Sequence, residues 1–403
     1  MSKLRGSRAA WLLALLVVAL LSGCSVNGVQ SAFDPQAPRA DAQMDLFYYT
    51  GWLSIIVVLG VGGALAYAII RFREKPGDDS LPAQTHGNAA IEISLIVAAA
   101  VIAVLVAVPT IRVNFAMDSR LQDEVLTEDD VVINIIGWQW WWAYEYPDEG
   151  IVTANELHVP QGKRVVLNLT SGDVLHSFWV PKLFGKRDLI PNQNNQIWFT
   201  TTEDTPTGVE NAYYGECAEL CLGAHAYMRM RVIVDTPEDY EAWVAGFQDI
   251  EPIGSLTPQA EAPDQPVQIQ ETDPLITQGE QLFKTKGCAA CHTVRGYAGG
   301  AVDKPDLTNF GLRTSLAAGV LDNTPENLAR WLRDPQEVKP GNYMPTLWSE
   351  EDPNREPEIE ALVAYLLSLG TEQAPQAQTS ETQLSALPVS DAPIELPGGT
   401  HGN

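Results

Sequence analysis

Cys217-Ala218-Glu219-Leu220-Cys221-Leu222-Gly223-Ala224-His225-Ala226-Tyr227-Met228 sets two cysteines, a histidine and a methionine within twelve residues. Thiolate, imidazole and thioether donors together select copper over hard cations. Zinc is the competing metal. Methionine is a poor zinc ligand, however, and a further histidine is offered upstream by Asp173-Val174-Leu175-His176-Ser177-Phe178-Trp179. A disulfide between Cys217 and Cys221 is the weaker reading, because a histidine and a methionine stand beside the pair. The flanking sequence reads as β structure. Arg229-Met230-Arg231-Val232-Ile233-Val234 alternates, with Met230, Val232 and Val234 on one face, and Val166 to Thr170 places Leu167 and Leu169 together. Period-two segments with Gly, Pro and Asn turns between them predict a β-sandwich or barrel. A short helix ends the domain: Thr236 is a good N-cap, Pro237 suits the first helical position, and Tyr240, Trp243, Val244 and Phe247 form one apolar face.

Upstream, Gly137-Trp138-Gln139-Trp140-Trp141-Trp142-Ala143-Tyr144-Glu145-Tyr146 carries four tryptophans in five residues. That exceeds what packing alone usually needs, although some of the rings must fill the core of a strand. His158, in Asn155-Glu156-Leu157-His158-Val159-Pro160, has no ligand-like neighbours and reads as structural.

Downstream, Glu251 to Thr272 holds four prolines among Gln, Ala and acids and reads as an extended linker. Cys288-Ala289-Ala290-Cys291-His292 then matches the Cys-x-x-Cys-His signature of c-type haem attachment. The cysteines would form the thioethers and His292 would reach the iron. A redox dithiol or half a zinc site is weaker, since neither a thioredoxin-like pattern nor a second cysteine pair surrounds it. After His292 the only methionine is Met344 and the only other histidine is His401, which sits in a polar tail. Met344 is therefore the expected sixth ligand, and Met/His ligation raises an iron potential. Thr324-Pro325-Glu326 starts a helix with Leu328, Trp331 and Leu332 inward, and Ile359, Leu362, Val363, Leu366 and Leu369 form a last amphipathic one. Residues 371–403 are Gln/Thr/Pro-rich and are expected to be disordered.

The N-terminus carries membrane signals. Lys3, Arg5 and Arg8 precede an apolar run from Ala9 to Leu21, the layout of a signal peptide. The run ends in Leu21-Ser22-Gly23-Cys24 and resembles a bacterial lipobox, which implies cleavage before Cys24 and lipid on that cysteine. Phe47 to Ile70 would span about 36 Å as a helix, enough for a bilayer. Ala89 to Ile111 is a second such run, and Arg71, Arg73 and Lys75 lie between them. The positive-inside rule puts that short loop in the cytoplasm and both flanks outside. Glu92 stands near the inner end of the second run, where a carboxylate is costly and usually functional; the bland alternative is that it snorkels into the headgroups.

The formal net charge is −26, which argues against nucleic acid and favours a basic donor or a basic face on a partner protein. Each of the five cysteines has a separate task above, which leaves none for a disulfide despite an exported setting that would allow one.

Together, the His176 segment and the Cys-x-Glu-x-Cys-x-x-x-His-x-x-Met loop resemble the CuA site of cytochrome c oxidase subunit II. The resemblance extends over both apolar runs and the β domain, and with the fused haem domain it is similar to the caa-type enzymes. It implies a multidomain membrane protein: a two-helix transmembrane hairpin, a cupredoxin-like β-sandwich and an all-α class I cytochrome c domain. The expected boundaries are a lipoprotein signal peptide over 1–23, an N-terminal segment over 24–45, the hairpin over 46–111, the CuA domain over 112–250, the linker over 251–272, the cytochrome over 273–370 and the tail over 371–403. By resemblance, Cys217 and Cys221 bridge two coppers and His176 and His225 each bind one. Met228 binds weakly at one copper and the Glu219 carbonyl at the other, while the Glu219 side chain binds magnesium at the junction with subunit I. Trp140 corresponds to the tryptophan that receives electrons, and Glu92 to a glutamate at the mouth of a proton channel. Trp138 departs from the pattern, since many members have histidine there. The segment after Glu92 also lacks the usual tryptophan and internal proline. Gly279 and Phe283 resemble the Gly/aromatic pair of a first cytochrome helix, with Tyr365 as the partner on the last.

The implied function is electron acceptance from cytochrome c or an upstream respiratory complex, through haem c and CuA, to the oxygen-reducing site of subunit I in a proton-pumping oxidase. The implied setting is a bacterial cell membrane, with the copper and haem domains outside. A CuA-bearing nitric oxide reductase subunit and a stand-alone copper or electron-carrier lipoprotein are the alternatives. The hairpin with Glu92 argues against the lipoprotein, since a lipid anchor would suffice. A quinol oxidase subunit is disfavoured because such relatives lack these copper ligands.

Overall fold

The computed structural model describes residues 28–73, 77, 87–117, 127, 129–248, 273–294, 300–301 and 303–370. The expected signal segment, Cys24, the linker over 251–272 and the tail from 371 lie outside them. The described residues fall into two compact units, one running to Val244 and taking in Thr314–Thr346, the other made of the remaining described residues.

The first unit begins with two long helices, α1 (Pro38–Arg71) and α2 (Ala89–Ala116). Pro38 opens α1 with φ already fixed for a helix. Asn88 caps α2, its side chain accepting from the amides of Ala90 and Ile91. Both helices carry apolar stretches of mean hydropathy 2.5 and 2.8 with none of either stretch buried inside the protein, as lipid-facing spans require. α1 starts before the apolar run at Phe47, and its extra turns are amphipathic: Ala37, Ala40 and Met44 are buried. Tyr49 donates to the Leu105 carbonyl at 3.1 Å and Arg39 to the Met117 carbonyl at 2.5 Å, which ties the two helices at the end nearer the β domain.

The β domain is two five-stranded sheets packed face to face. One has the order β3-β2-β1-β5-β8 and the other β4-β10-β9-β6-β7. The first sheet comprises β1 (Val131–Trp138), β2 (Trp141–Tyr146), β3 (Ile151–Ala154), β5 (Arg164–Ser171) and β8 (Asn195–Thr200). The second comprises β4 (Glu156–Pro160), β6 (His176–Trp179), β7 (Arg187–Leu189), β9 (Tyr213–Cys217) and β10 (Arg229–Asp235). Alternate residues fill the space between the sheets, among them Ile133, Ile135, Trp142, Tyr144, Leu167, Leu169 and Phe178, all fully buried. β10 differs from the alternation read in its sequence. Met230, Val232 and Val234 do share the core face, but Arg231 and Ile233 on the other face are buried too. β10 is a central strand between β4 and β9, and on its outer face Arg231 meets Asp322 of the 314–346 segment at 2.6 Å. Helix α3 (Pro237–Gln248) follows, with the Thr236 hydroxyl accepting from the Asp239 amide at 3.1 Å. His158 is structural: its Nδ1 meets Asp235 at 2.7 Å and its ring stacks on Trp243 at 4.5 Å.

In the second unit α4 (Pro274–Thr285) carries an Asp273 N-cap and crosses a helix over Arg355–Ser368. Phe283 and Tyr365 meet at 5.5 Å between ring centroids. Gly279 lets the backbones approach, for a Cβ there would lie 2.0 Å from the Ala361 carbonyl oxygen. The 314–346 segment, within the first unit, holds β11 (Ser315–Leu316), β12 (Leu321–Asp322), α5 (Pro325–Arg333) and α6 (Pro335–Val338). Arg355–Ser368 is thus α7. Thr324 caps α5 by accepting from the Asn327 amide, as its sequence predicts.

Candidate metal centre

β9 ends on Cys217, and the chain returns to β10 through a tight loop with a short 3-10 turn over His225–Tyr227. The Cys217 amide donates to the Met228 carbonyl at 2.9 Å, which closes the loop on itself. β6 runs beside β9 and delivers His176 from the neighbouring strand. The six expected donors converge here. Cys217 Sγ lies 3.8 Å from Cys221 Sγ, 3.9 Å from His176 Nδ1 and 3.2 Å from the Glu219 carbonyl oxygen. Cys221 Sγ lies 3.5 Å from His225 Nδ1 and 3.9 Å from Met228 Sδ. Two sulfurs 3.8 Å apart are not a disulfide, whose bond is near 2 Å.

His176, Cys217, Cys221 and Met228 are buried, and His225 is half-buried. Burial beneath aromatic rings excludes water and suits soft donors. The thiols are not equivalent. The hydrogen bond from Cys221, with those from His176 and backbone amides, holds the Cys217 thiol well below its ordinary range, while the same pairing and burial push Cys221 up. His176 is raised: burial opposes the charge, but Asp173 and Cys217 outweigh it. Asp173 Oδ1 takes His176 Nε2 at 2.8 Å and so turns Nδ1 toward the sulfurs. Gly137 leaves room for that ring, since a Cβ there would lie 2.9 Å from His176 Cδ2.

Trp140 stands at the tip of the β1–β2 hairpin, between paired Trp138 and Trp141. Its indole Nε1 donates to the Cys221 carbonyl at 2.8 Å, and Gln139 Nε2 donates to the same oxygen at 2.9 Å. Trp142, one residue inside β2, is core against Phe178. Gly223 has φ +30 and lies under the Trp140 ring, 2.2 Å from where its Cβ would be. Lys339, buried, donates to the Trp140 carbonyl at 2.5 Å, and burial pushes its ammonium down to about 7. Asp173 was visible beside His176 in the sequence, but its role was not. Lys339 and Tyr343, which reaches Gln139, had no local signal, because their partners are 199 and 204 residues away.

The remaining site residues lie elsewhere. Glu92 occupies the first turn of α2, away from the donor cluster, where a carboxylate also suits the helix dipole. In the second unit Cys288 opens a 3-10 turn over Cys288–Ala290, Cys291 caps it and His292 follows, its amide donating to the Cys288 carbonyl at 2.8 Å. His292 Nδ1 pairs with the Pro305 carbonyl at 2.9 Å, which leaves Nε2 for a metal. Burial pushes the Cys288 thiol up to about 11. Met344 belongs to the first unit, its amide donating to Asn342 Oδ1. The donor chemistry of both clusters fits the groups expected of them: two thiols, two imidazoles and a thioether for copper, and paired cysteines with an adjacent imidazole for haem.

A lipid-facing helix pair, a two-sheet domain with a soft-donor cluster and a helical haem-attachment fold define a membrane-bound electron-transfer protein. Comparison with known proteins gives the family. Residues 25–113 match the transmembrane domain of cytochrome c oxidase subunit II, 149–236 its periplasmic domain and 276–370 cytochrome c. The chain is 36% identical to cytochrome c oxidase subunit 2 of Alkalihalophilus pseudofirmus over 87% of its length and 93% of that protein. It is 33% identical to the Bacillus subtilis protein of the same name, over 90% of this chain and 97% of that one. A quinol oxidase subunit 2 of Bacillus cereus is 29% identical over 60% of this chain and 81% of the relative. The chain belongs to the cytochrome c oxidase subunit II family and carries a C-terminal cytochrome c domain. It is a subunit of an oxidoreductase complex with a role in electron transfer.

Proposed function

We propose that this chain takes electrons onto a covalently attached haem c and passes them through a dinuclear copper centre to the oxygen-reducing site of subunit I in a proton-pumping terminal oxidase. The convergence of two imidazoles, a thioether and a carbonyl on two thiols 3.8 Å apart carries the reading. Cys217, Cys221, His176 and His225 would hold the copper pair, with Met228 and the Glu219 carbonyl completing the set. Bound there, the metal pair supplies a one-electron carrier whose charge is shared through the thiolates. The protein's part is to keep that site dry and still. Asp173 fixes the His176 ring, and Trp140 and Gln139 together clamp the Cys221 carbonyl.

Cys288 and Cys291 would anchor the haem, and His292 and Met344 would hold its iron; a histidine–methionine pair raises an iron potential, which suits delivery to an oxidase. Trp140 receives electrons for the copper pair. Glu92 takes up protons from the cytoplasmic side, and the Glu219 side chain holds magnesium facing subunit I. The donor is a cytochrome c or an upstream respiratory complex. The working boundaries are the hairpin over 46–111, the copper domain over 112–250 and the cytochrome over 273–370, with Cys24 lipidated after removal of 1–23. The copper and haem domains face outward from a bacterial cell membrane.

The test is the gas substrate of the purified complex. Oxygen consumption coupled to oxidation of a reduced cytochrome supports the reading. Turnover of nitric oxide without oxygen would replace it with the reductase alternative.

A further inference from the structure

The chain ahead of α1 is arranged inside out for a segment in water. Residues 28–37 make two turns, the Ser31 amide donating to the Gly28 carbonyl at 3.1 Å and the Asp34 amide to the Ser31 carbonyl at 3.3 Å. The β domain takes up the polar groups of this strap. Asp34 meets Lys182 at 2.7 Å, the Gln36 amide donates to the Lys182 carbonyl at 2.7 Å, and the Gln36 carbonyl accepts from the Thr205 hydroxyl at 3.3 Å. The apolar side chains are left open instead: Val29 is 63% exposed and Phe33 51%. Water would favour the reverse, since each open apolar side chain forgoes the hydrophobic gain of covering it.

Phe33 also fixes how far the strap reaches. Its ring meets Phe47 edge-on at 5.5 Å between centroids, and Phe47 meets Tyr48 in the same way at 6.0 Å. Phe47 opens the apolar run of α1 and lies nine residues past Pro38, about 14 Å along the helix axis. The strap therefore doubles back beside α1 and brings Phe33 level with the start of the span. Phe47, Tyr48 and Trp52 are exposed there, so the open apolar surface of the strap joins that of the lipid-facing helix. Rings beside polar groups suit the boundary between headgroups and acyl chains, where the ring leaves water and the charges stay hydrated. An open cavity of about 290 Å³ adjoins the strap, with Val29, Asp34, Lys182 and Glu210 in its wall. It offers charges of both signs, as a zwitterionic headgroup requires.

We propose that residues 28–37 form an interfacial strap whose Val29 and Phe33 rest among the phospholipids of the leaflet nearer the β domain, a third attachment of that domain to the membrane beside α1 and α2. The occupant is zwitterionic phospholipid, because the strap's apolar surface is continuous with that of the span and its charges are mixed. The inference rests on the membrane placement of the two helices and is independent of the copper and haem.

Carbene photolabelling from the lipid tests it. The full-length chain is reconstituted in phosphatidylethanolamine–phosphatidylcholine vesicles that contain a phospholipid with a diazirine near the headgroup end of its acyl chain, and adducts are mapped by peptide mass spectrometry. Cleavage at Arg39 separates the strap from the start of the span. Lipid adducts should appear on residues 28–37 as well as on Phe47–Trp52. Val152 is as exposed as Phe33 but lies in β3, on the sheet edge opposite β8, so its peptide should stay bare. Phe33→Ser should cut the strap adducts severalfold and Phe33→Leu should keep them, with circular dichroism checking that both fold. The purified oxidase complex in the same vesicles should show the same pattern. A bare strap beside a labelled Phe47–Trp52 would overturn the proposal, as would a Val152 peptide labelled like the strap. A strap labelled in the isolated chain but bare in the complex would put a partner subunit on that surface and overturn the lipid contact. Adducts absent from Phe47–Trp52 as well would overturn the membrane placement together with the strap, so the two failures are distinct.

Discussion

Asp173 touches no proposed copper, yet it fixes which nitrogen of His176 faces the sulfurs. Carboxylates behind a metal-bound histidine commonly contribute about 10–100-fold in metal affinity. Asp173→Ala should therefore weaken copper binding by at least about tenfold, measured by competition with a chelator of known affinity, with a smaller loss for Asp173→Asn. Unchanged affinity would mean that packing beneath Trp142 orients the ring unaided. At this scale the sequence was informative wherever ligands are close in the chain. Cys217, Cys221, His225 and Met228 are fixed by one loop, and their types already name the chemistry. Asp173, Gln139 and Lys339 were not legible, because a hydrogen-bond partner without a metal-ligand identity leaves no mark in spacing.

Helix α4 meets α7 at Gly279, and there a methyl group has nowhere to go. Gly279→Ala would gain about 1 kcal/mol of helix propensity. It would also set a carbon 2.0 Å from the Ala361 carbonyl, and overpacking against backbone costs about 3 kcal/mol. The net is a loss of about 2 kcal/mol, visible as an earlier thermal transition of the haem absorbance. A second element-scale contact links the chain before β1 to the start of β5. The Arg164 hydrogen bond holds the Asp130 carboxyl at about 2, below its ordinary 3.8. A depressed carboxylate stabilises the fold at pH above its unfolded value, and that contribution fades as pH falls from about 4 toward 2. With screening it is about 1 kcal/mol. Denaturant melts of the wild type should show this slope over that range, and Arg164→Gln should flatten it. The elements themselves were legible by period and caps. The burial of Arg231 on the outer face of β10 was not, because its partner Asp322 is 91 residues away in the chain.

Across the whole molecule three physical regimes follow one another. Lipid-facing helices hold the chain at a membrane, a two-sheet domain buries soft donors, and a helical fold with Cys-x-x-Cys-His offers a haem site. Their order was legible because each has its own signature: hydropathy, alternation and a short covalent motif. What the sequence could not give is that 314–346 packs with the copper-ligand loop, since no periodicity encodes docking between distant segments. Met344→Ala should leave the haem covalently attached but lower its potential, read by redox titration of the full chain; an unchanged potential would exclude Met344 as axial ligand. The donor cluster around Cys217 and Cys221 carries the proposed electron transfer. Metal analysis of the purified full-length chain, with electron paramagnetic resonance of the oxidised form, tests it. Two coppers per chain are expected, with one unpaired electron coupled alike to both nuclei. One copper, or one zinc in place of the pair, would contradict it.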